Sequence, residues 1–305
     1  MNLPEPLPLV SVIIPTTAQA SRRHELHRCI GALRAASTLP LTIIVVVNGQ
    51  RSDAGLCDWL RAQPDVQYFY LEQPSAPNAV LHGRRQVRTP YFCAVDDDDE
   101  YLPAAIDQRL AVLKAQPDAD LVVTNVYRRC DGRDQLMYGH LRDVPRQPLA
   151  MLFLSNWLYN GNALYRSAAV PVSYFEDYRA YAEWTWLAYK LALDGKQVAT
   201  LEQPTFRVHV TPGSLSQSRN YSDNYLTLFQ DMLNAGPPAD IVRLIRRKLS
   251  AAQHDHSVQA LADGRRGDAW RWHLRSLRHP GGLRYLGYTR RLLARPAAPL
   301  IGERT

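Results

Sequence analysis

Apolar positions in the first 126 residues form short continuous runs, separated by stretches in which they recur every three or four residues. Leu9-Val-Ser-Val-Ile-Ile14, closed by Pro15, predicts a buried strand. Residues 24–36 follow with Leu26, Cys29, Ile30 and Leu33 on one helical face. Leu41-Thr-Ile-Ile-Val-Val-Val47 predicts a second buried strand, stopped by the turn pair Asn48-Gly49. The alternation continues with a short helix at 56–62, a strand at 66–71, a helix at 78–87 and a strand at 91–95. A helix opened by Pro103 then runs to about residue 115, and a further strand covers 121–126. Strand–helix repetition with short connections predicts a mainly parallel α/β sheet with helices on both faces. Ligands of such sheets bind at the carboxyl ends of the strands, so residues 15–17, 47–49 and 96–99 are expected to converge on one crevice.

Beyond Gly139 the pattern loosens. Residues 149–154 and 183–193 read as helices, the second closed by Asp194-Gly195, and an aromatic-rich region lies between them. From Asp240 the chain is helical and basic; Gly281-Gly282 breaks it before residues 284–293, and 295–299 read as a frayed tail. The expected division is therefore residues 1–235, in two halves that meet after residue 126, followed by a basic helical extension at 236–305.

Composition removes several classes. The 305 residues are 46% hydrophobic and 21% charged, which is ordinary globular usage. No apolar run approaches the roughly 20 residues of a membrane span, and the N-terminus lacks the basic start of a secretory signal. Cys29, Cys57, Cys93 and Cys130 form no Cys-x-x-Cys pair, so reduced thiols in a cytoplasmic protein are expected. Pro-Thr-Thr-Ala after the first strand is not a dinucleotide-binding Gly-x-Gly-x-x-Gly turn, and no Gly-Lys-Ser/Thr P-loop is present. The net charge of +7 is concentrated in the C-terminal helices. The basic helices read as a solvated face, a nucleic-acid surface or a patch for anionic lipid at the inner face of the cell membrane; nucleic acid is the weakest of the three, because no recognition motif accompanies them.

The strongest chemical signal is Asp96-Asp97-Asp98-Asp99-Glu100. Consecutive acids at the end of a buried strand repel one another unless a cation compensates. Hard divalent cations prefer carboxylate oxygens, and Mg²⁺ is commonly shared between one or two carboxylates and substrate phosphates. A solvated acidic turn capping the next helix is the plainer alternative.

These segments together resemble the family 2 glycosyltransferases, which have the GT-A fold. Val10-Ser-Val-Ile-Ile-Pro-Thr16 is similar to that family's opening strand and Ile43-Ile-Val-Val-Val-Asn-Gly49 to its second. Thr89-Pro-Tyr-Phe-Cys-Ala-Val-Asp96 and Asp96-Asp-Asp-Asp-Glu-Tyr-Leu-Pro103 match its strand and metal motif, and Phe206-Arg-Val-His209 with Gly213-Ser-Leu-Ser216 its late Arg-x-His element. The resemblance spans about residues 9–220. It implies an inverting enzyme with Mn²⁺ or Mg²⁺ and a nucleotide-diphospho-sugar donor, a UDP-sugar being favoured. Pro15, Thr16, Thr17 and Asn48 would border the base, Asp97 the ribose, and Asp96, Asp98 and His209 the metal and diphosphate, with Arg84 or Arg85 as a substitute phosphate contact; the half to residue 126 would hold the nucleotide-sugar and the half at 127–235 the acceptor.

Sugar transfer with inversion needs a carboxylate to take the acceptor's proton. The resemblance puts it in a pair of acids opening a helix; here the pair reads Glu183-Trp184, so Glu183 is the expected base, with Asp177 or Glu176 as alternatives. Trp184 and Trp186 are candidates for stacking on the acceptor. The acceptor implied is a saccharide or a lipid-linked saccharide, in bacterial surface polysaccharide or lipopolysaccharide assembly. A catalytically degenerate nucleotide-sugar binder is the alternative reading, because Trp184 stands where the second acid is usual; a nucleotidyltransferase is a third.

Overall fold

The two most apolar runs of the chain become its central strands. In the computed structural model, which describes residues 7–209 and 220–294, β1 (Val10–Thr16) and β2 (Leu41–Asn48) pair in parallel, Val10 opposite Leu41 and Thr16 opposite Val47. Val12, Ile13, Ile14 and the five residues from Ile43 to Val47 are fully buried. Strands covered on both faces read as such unbroken runs, and each large aliphatic side chain buried contributes about 1.5–3 kcal/mol. β3 (Val66–Leu71) joins β2 and β4 (Tyr91–Ala94) joins β1, both in parallel.

The rest of the sheet is mixed. β5 (Glu100–Tyr101), β6 (Leu121–Cys130), β7 (Arg133–Leu136), β8 (Ala163–Arg166) and β9 (Val198–His209) complete it. Among the described residues it has nine strands in the order β3-β2-β1-β4-β8-β6-β9-β5, with β7 paired to β6 off that path. β8 runs antiparallel to β4 and β6, β5 antiparallel to β9, and β6 parallel to β9. The helices α1 (Arg23–Ala35), α2 (Ala54–Arg61), α3 (Ala76–Gln86), α4 (Ala105–Ala115), α5 (Pro148–Leu154), α6 (Ser173–Glu176) and α7 (Glu183–Leu193) flank it. α1 buries the face expected from its spacing: Leu26, Cys29, Ile30 and Leu33. α3 begins two residues before the expected start, where Ser75 accepts a cap bond from the Asn78 N–H (3.3 Å) and Pro77 occupies the first turn. Gly83 of α3 lies against β1 so closely that a Cβ there would meet Ile13 Cγ2 at 2.4 Å.

Pro103 does not open a helix. Glu100 and Tyr101 pair with β9, and the Leu102 N–H extends that pairing to the Thr205 carbonyl (2.9 Å). Pro103 and Ala104 are left to turn the chain, Ala104 at φ +58°, and α4 starts at Ala105. Below this turn the fully buried Arg109 donates from Nε to Thr205 Oγ1 (3.0 Å), from Nη1 to the Tyr101 hydroxyl (3.0 Å) and from Nη2 to Thr124 Oγ1 (3.3 Å), joining α4 to β5, β6 and β9.

The chain divides into two compact units, Met1–Ser218 and Arg219–Thr305. The division falls earlier than the expected residue 235, because α8 (Asn220–Asn234) packs on α9 (Ala239–Ala262). In this second unit α9 pairs with α10 (Arg266–Leu277) through small residues: Ser250 Oγ donates to the Ser276 carbonyl (2.8 Å) and Ser257 Oγ to that of Ala269 (2.7 Å). A 3₁₀ segment, Gly282–Tyr288, and α11 (Thr289–Leu293) follow. Among the described residues no helix is long and apolar enough to cross a membrane.

Gly83→Ala is expected to destabilise the protein by about 1–3 kcal/mol in urea unfolding, because the added methyl must displace β1 or α3. Unchanged stability would contradict the close approach of the two elements.

Candidate active site

The carboxyl ends of β1, β2 and β4 do converge. Pro15 is buried opposite Val46 at the end of β1, and Thr17 lies half-buried just beyond it. Thr16 Oγ1 donates to Asp97 Oδ2 (2.5 Å) and accepts from the Ala18 N–H (2.9 Å). Asn48 bridges the neighbouring ends: its Nδ2 donates to the Thr16 carbonyl (3.0 Å), and its Oδ1 accepts from the Ser75 N–H (2.9 Å). Both ends of that amide therefore serve the scaffold of the crevice.

The acidic run that follows β4 is folded inward. Asp97 and Asp99 are only 4% and 3% exposed, the reverse of a solvated acidic turn. The Asp96 carboxyl is pushed up to about 7 by burial and by the charges of Asp98 and Asp97, with only the Asn160 Nδ2 bond (2.7 Å) and Arg22 working against it. Asp99 is raised well above the usual range by burial and by Asp96 and Asp98, although the His209 N–H bonds it (3.1 Å). Asp97 is raised by burial despite its bonds to Arg22 and Thr16. Arg22 bridges Asp97 and Asp98, the second at 3.3 Å, and Arg28 Nη2 donates to the Asp98 carbonyl (2.5 Å). Burial opposes the charge of Arg22, but its two aspartates outweigh it and hold it firmly protonated.

These residues fit a divalent cation that arrives with a diphosphate. Asp96 and Asp98 offer oxygen ligands with surplus negative charge, and beside them the buried Asn160 Oδ1 has no hydrogen-bond partner among the described residues. Among those residues no three His, Cys, Asp or Glu side chains converge into a complete metal shell. Two carboxylates completed by phosphate oxygens is the common arrangement for Mg²⁺. His209, an expected third ligand, is turned elsewhere: its Nε2 contacts Glu100 Oε2 at 3.1 Å, and Arg207 pairs with the same carboxylate at 3.0 Å.

The helix carrying the expected base is tied to this cluster by the loop at residues 155–162. Asn160 holds Asp96, and Asn156 Nδ2 donates to Thr185 Oγ1 (3.0 Å) in the first turn of α7. Four residues span at most about 14 Å between their Cα atoms, so the separation of the cluster from the start of α7 is limited to that reach plus the side chains at either end. Glu183 is half-buried, and its Oε1 accepts from the Tyr181 N–H (3.1 Å). Burial raises its carboxyl above the ordinary range, as suits a base. For Asp177, burial is outweighed by Arg179, Trp186 Nε1 (3.2 Å) and Lys190, which hold it low and occupied. Glu176 is exposed and pairs with Arg85 (3.2 Å). Trp186 is not free to stack on an acceptor: it is 5% exposed, lies on Tyr189 (5.6 Å between rings) and carries Arg179 over its face (4.6 Å). Trp184 remains half-exposed.

Arg84 is a structural residue. Its Nη2 donates to the carbonyls of Ser167 and Val170 (both 2.9 Å), and its guanidinium lies over Phe92 (4.2 Å). The helical face it shares with Val80 points into the protein, and the phosphate contact expected there is replaced by an anchor between α3 and the segment after β8. A cavity of about 400 Å³ near Pro90 and Ser167 adjoins the opposite end of β4 and contains no carboxylate. Arg22, Arg28, Asn156 and Asn160 were not anticipated from the sequence. The Arg22-Arg23 pair soon after β1 and the Asn160-Gly161-Asn162 turn were the available signals.

The Asp96 shift fixes the sign of a pH effect. Its folded value of about 7 exceeds the ordinary value of about 3.9. As pH climbs between the two, the unfolded chain gives up its proton first, so this residue lowers stability across that window and keeps its full penalty above it. Asp96→Asn is expected to stabilise the ligand-free protein by on the order of 1–3 kcal/mol near pH 8 and to leave it unchanged near pH 4. Urea unfolding at both pH values checks this; equal effects at both would contradict it.

Comparison with known proteins accords with this arrangement. The model for Glycosyl transferase family 2 matches residues 11–173. An uncharacterized glycosyltransferase of Rickettsia bellii is 24% identical over 177 residues, covering 56% of this chain and 24% of that protein. One from Rickettsia typhi is 28% identical over 131 residues, covering 43% and 40%. The chain thus spans well under half the length of these relatives. In structure it is similar to residues 1–349 of S. aureus TarS in complex with UDP-GlcNAc, with a TM-score of 0.63 at 14% identity over 88% of this chain and 81% of that one. That likeness extends the GT-A arrangement over most of the chain, and the match over more than half its length shows that the chain belongs to glycosyl transferase family 2.

Proposed function

We propose that the protein is an inverting glycosyltransferase, moving a sugar from a UDP-sugar to a hydroxyl of a saccharide or lipid-linked acceptor. The observation that carries this reading is the loop at 155–162, which bonds the Asp96 carboxylate at one point and the first turn of the Glu183 helix at another. A donor diphosphate on the aspartates and an acceptor beside Glu183 would then share one crevice. The choice of UDP is supported by the TarS complexes with UDP-GlcNAc and with UDP. Assembly of bacterial surface polysaccharide, on the cytoplasmic side, is the setting proposed; the resemblance and the bacterial relatives support it.

In this reading Asp96 and Asp98 would hold Mg²⁺ or Mn²⁺, which when bound would neutralise charge on the departing diphosphate. Asp97, fixed by Thr16 and Arg22, faces the ribose. Glu183 takes the acceptor proton as the acceptor oxygen bonds to the anomeric carbon. The bond from that carbon to the phosphate oxygen breaks, and its electron pair leaves on the diphosphate. The raised Glu183 carboxyl is matched to that role, whereas Asp177 is engaged by Arg179. The competing reading, a binder without turnover, is favoured by one observation: Trp184 stands directly after Glu183, where a second acid is usual.

Calorimetry with UDP, GDP, CDP and dTDP, with and without Mn²⁺, tests the donor site. UDP is expected to bind most tightly and only with the metal, and Asp98→Ala to abolish that binding. Glu183→Gln is expected to leave UDP binding intact and lower transfer by about 10²–10⁴-fold. Metal-independent binding, or full transfer by Glu183→Gln, would refute these assignments. Tight donor binding without transfer to any acceptor would establish the binder.

A further inference from the structure

The charge of the protein is divided unequally between its two units. Residues 1–218 carry 21 Lys and Arg against 22 Asp and Glu, whereas residues 219–305 carry 15 against 7. The excess is sharpest from Ala269 to Gly302, with seven arginines and no acid. Within this stretch, large aliphatic side chains face outward: Leu283 is 70% exposed, Leu286 50% and Leu293 67%.

The backbone geometry explains why those leucines point out. In a 3₁₀ helix, side chains three residues apart eclipse one another, so the Gly282–Tyr288 segment has one edge of Leu283 and Leu286 and another of Tyr285 and Tyr288. The tyrosine edge faces the unit's own core. Tyr285 stacks on His254 (3.9 Å between rings), and Tyr288 packs on the Ala260–Ala269–Leu292 cluster. The segment is held firmly against α10, because a Cβ on Gly282 would lie 2.2 Å from the Ser276 carbonyl oxygen. The leucine edge is thus presented by a seated element whose inner face is already satisfied. Arg284, Arg290 and Arg291 are exposed in the same stretch of chain; Arg284 donates to the Tyr285 hydroxyl and lies over its ring (4.6 Å), and among the described residues none of the three pairs with a carboxylate.

We propose that this surface docks the protein onto an anionic lipid bilayer, with Leu283, Leu286 and Leu293 entering the acyl boundary and Arg284, Arg290 and Arg291 meeting the headgroup phosphates. Exposed leucines flanked in sequence by arginines that no carboxylate neutralises, on an element too short to span, are the chemistry of a segment that lies in the interface plane. A nucleic acid would use the arginines but gains little from isolated leucines. A second copy would use the leucines but must bring two arginine clusters together. The proposal is independent of the donor and acceptor assignments above.

The test is flotation of the full chain with vesicles of phosphatidylglycerol and phosphatidylcholine in equal parts, against vesicles of phosphatidylcholine alone. Wild type is expected to float only with the anionic vesicles, and less as salt is raised. Leu283→Ser/Leu286→Ser is expected to weaken that binding by roughly tenfold or more, and Arg290→Gln/Arg291→Gln by a similar factor. Circular dichroism checks that the variants fold; if the double leucine variant does not, Leu293→Ser takes its place. Flotation that ignores the lipid charge, that fails altogether, or that survives the leucine changes would overturn the proposal. So would a leucine-dependent dimer in sedimentation without vesicles, which would assign the surface to a second copy. Tighter binding to a labelled RNA oligonucleotide, unaffected by the leucine changes, would assign it to nucleic acid.

Discussion

Four consecutive aspartates drawn inward at the end of a buried strand are the constraint around which this fold is arranged. Left alone they would repel one another and seek water. They are instead bounded by donors from several distant parts of the chain: Thr16 from β1, Arg22 and Arg28 from the turn and helix that follow it, Asn160 from the loop before β8, and the His209 N–H from β9. Each aspartate is held differently. Asp97 has a cation and a hydroxyl, Asp98 shares that cation, and Asp96 has one neutral amide. The compensation is therefore deliberately incomplete at Asp96, which keeps a raised carboxyl in the ligand-free protein. Sites that bind charged ligands commonly retain such local cost, offset by stability elsewhere.

That stability comes from the sheet beneath. β1 and β2 bury aliphatic side chains completely, and Arg109 on α4 satisfies buried hydroxyls on three strands. Asn48 then joins the ends of β1 and β2 to the start of α3, so the crevice floor cannot shift without breaking the central strands. On the other side, the loop at 155–162 couples the acids to α7. Its Trp157 is 1% exposed and donates from Nε1 to the Pro148 carbonyl (2.9 Å), and Gly161, at φ +97°, lies so close to Phe206 that a Cβ would meet the ring at 2.3 Å. In the proposed reaction such a loop would fix the spacing between the donor phosphate and the proton-accepting carboxylate, where misplacement by about 1 Å can cost about a hundredfold in rate. The second unit is built on a different principle, with small residues letting α9 and α10 approach closely in a stretch of chain that carries 15 basic residues against 7 acidic ones.

The sequence by itself determined the strand and helix order of the first 126 residues apart from β5, the buried face of α1 and the family, because these depend on short-range periodicity and on residues adjacent in the chain. It did not determine which distant residues meet the acids. Arg22 and Asn160 lie 75 and 64 positions from their aspartates, and the local signals, an arginine pair and an Asn-Gly-Asn turn, do not say which distant groups they meet. Arg84 and Trp186 illustrate the converse. Each is a residue type suited to phosphate or sugar, yet tertiary packing commits Arg84 to two carbonyls and Phe92, and Trp186 to Tyr189 and Arg179. Pro103 sits where a helix would begin, but the β5–β9 pairing, a contact across about a hundred residues, claims the backbone first. A side chain's chemistry is written in the sequence; whether that chemistry is still available is decided by long-range contacts that only the folded chain makes.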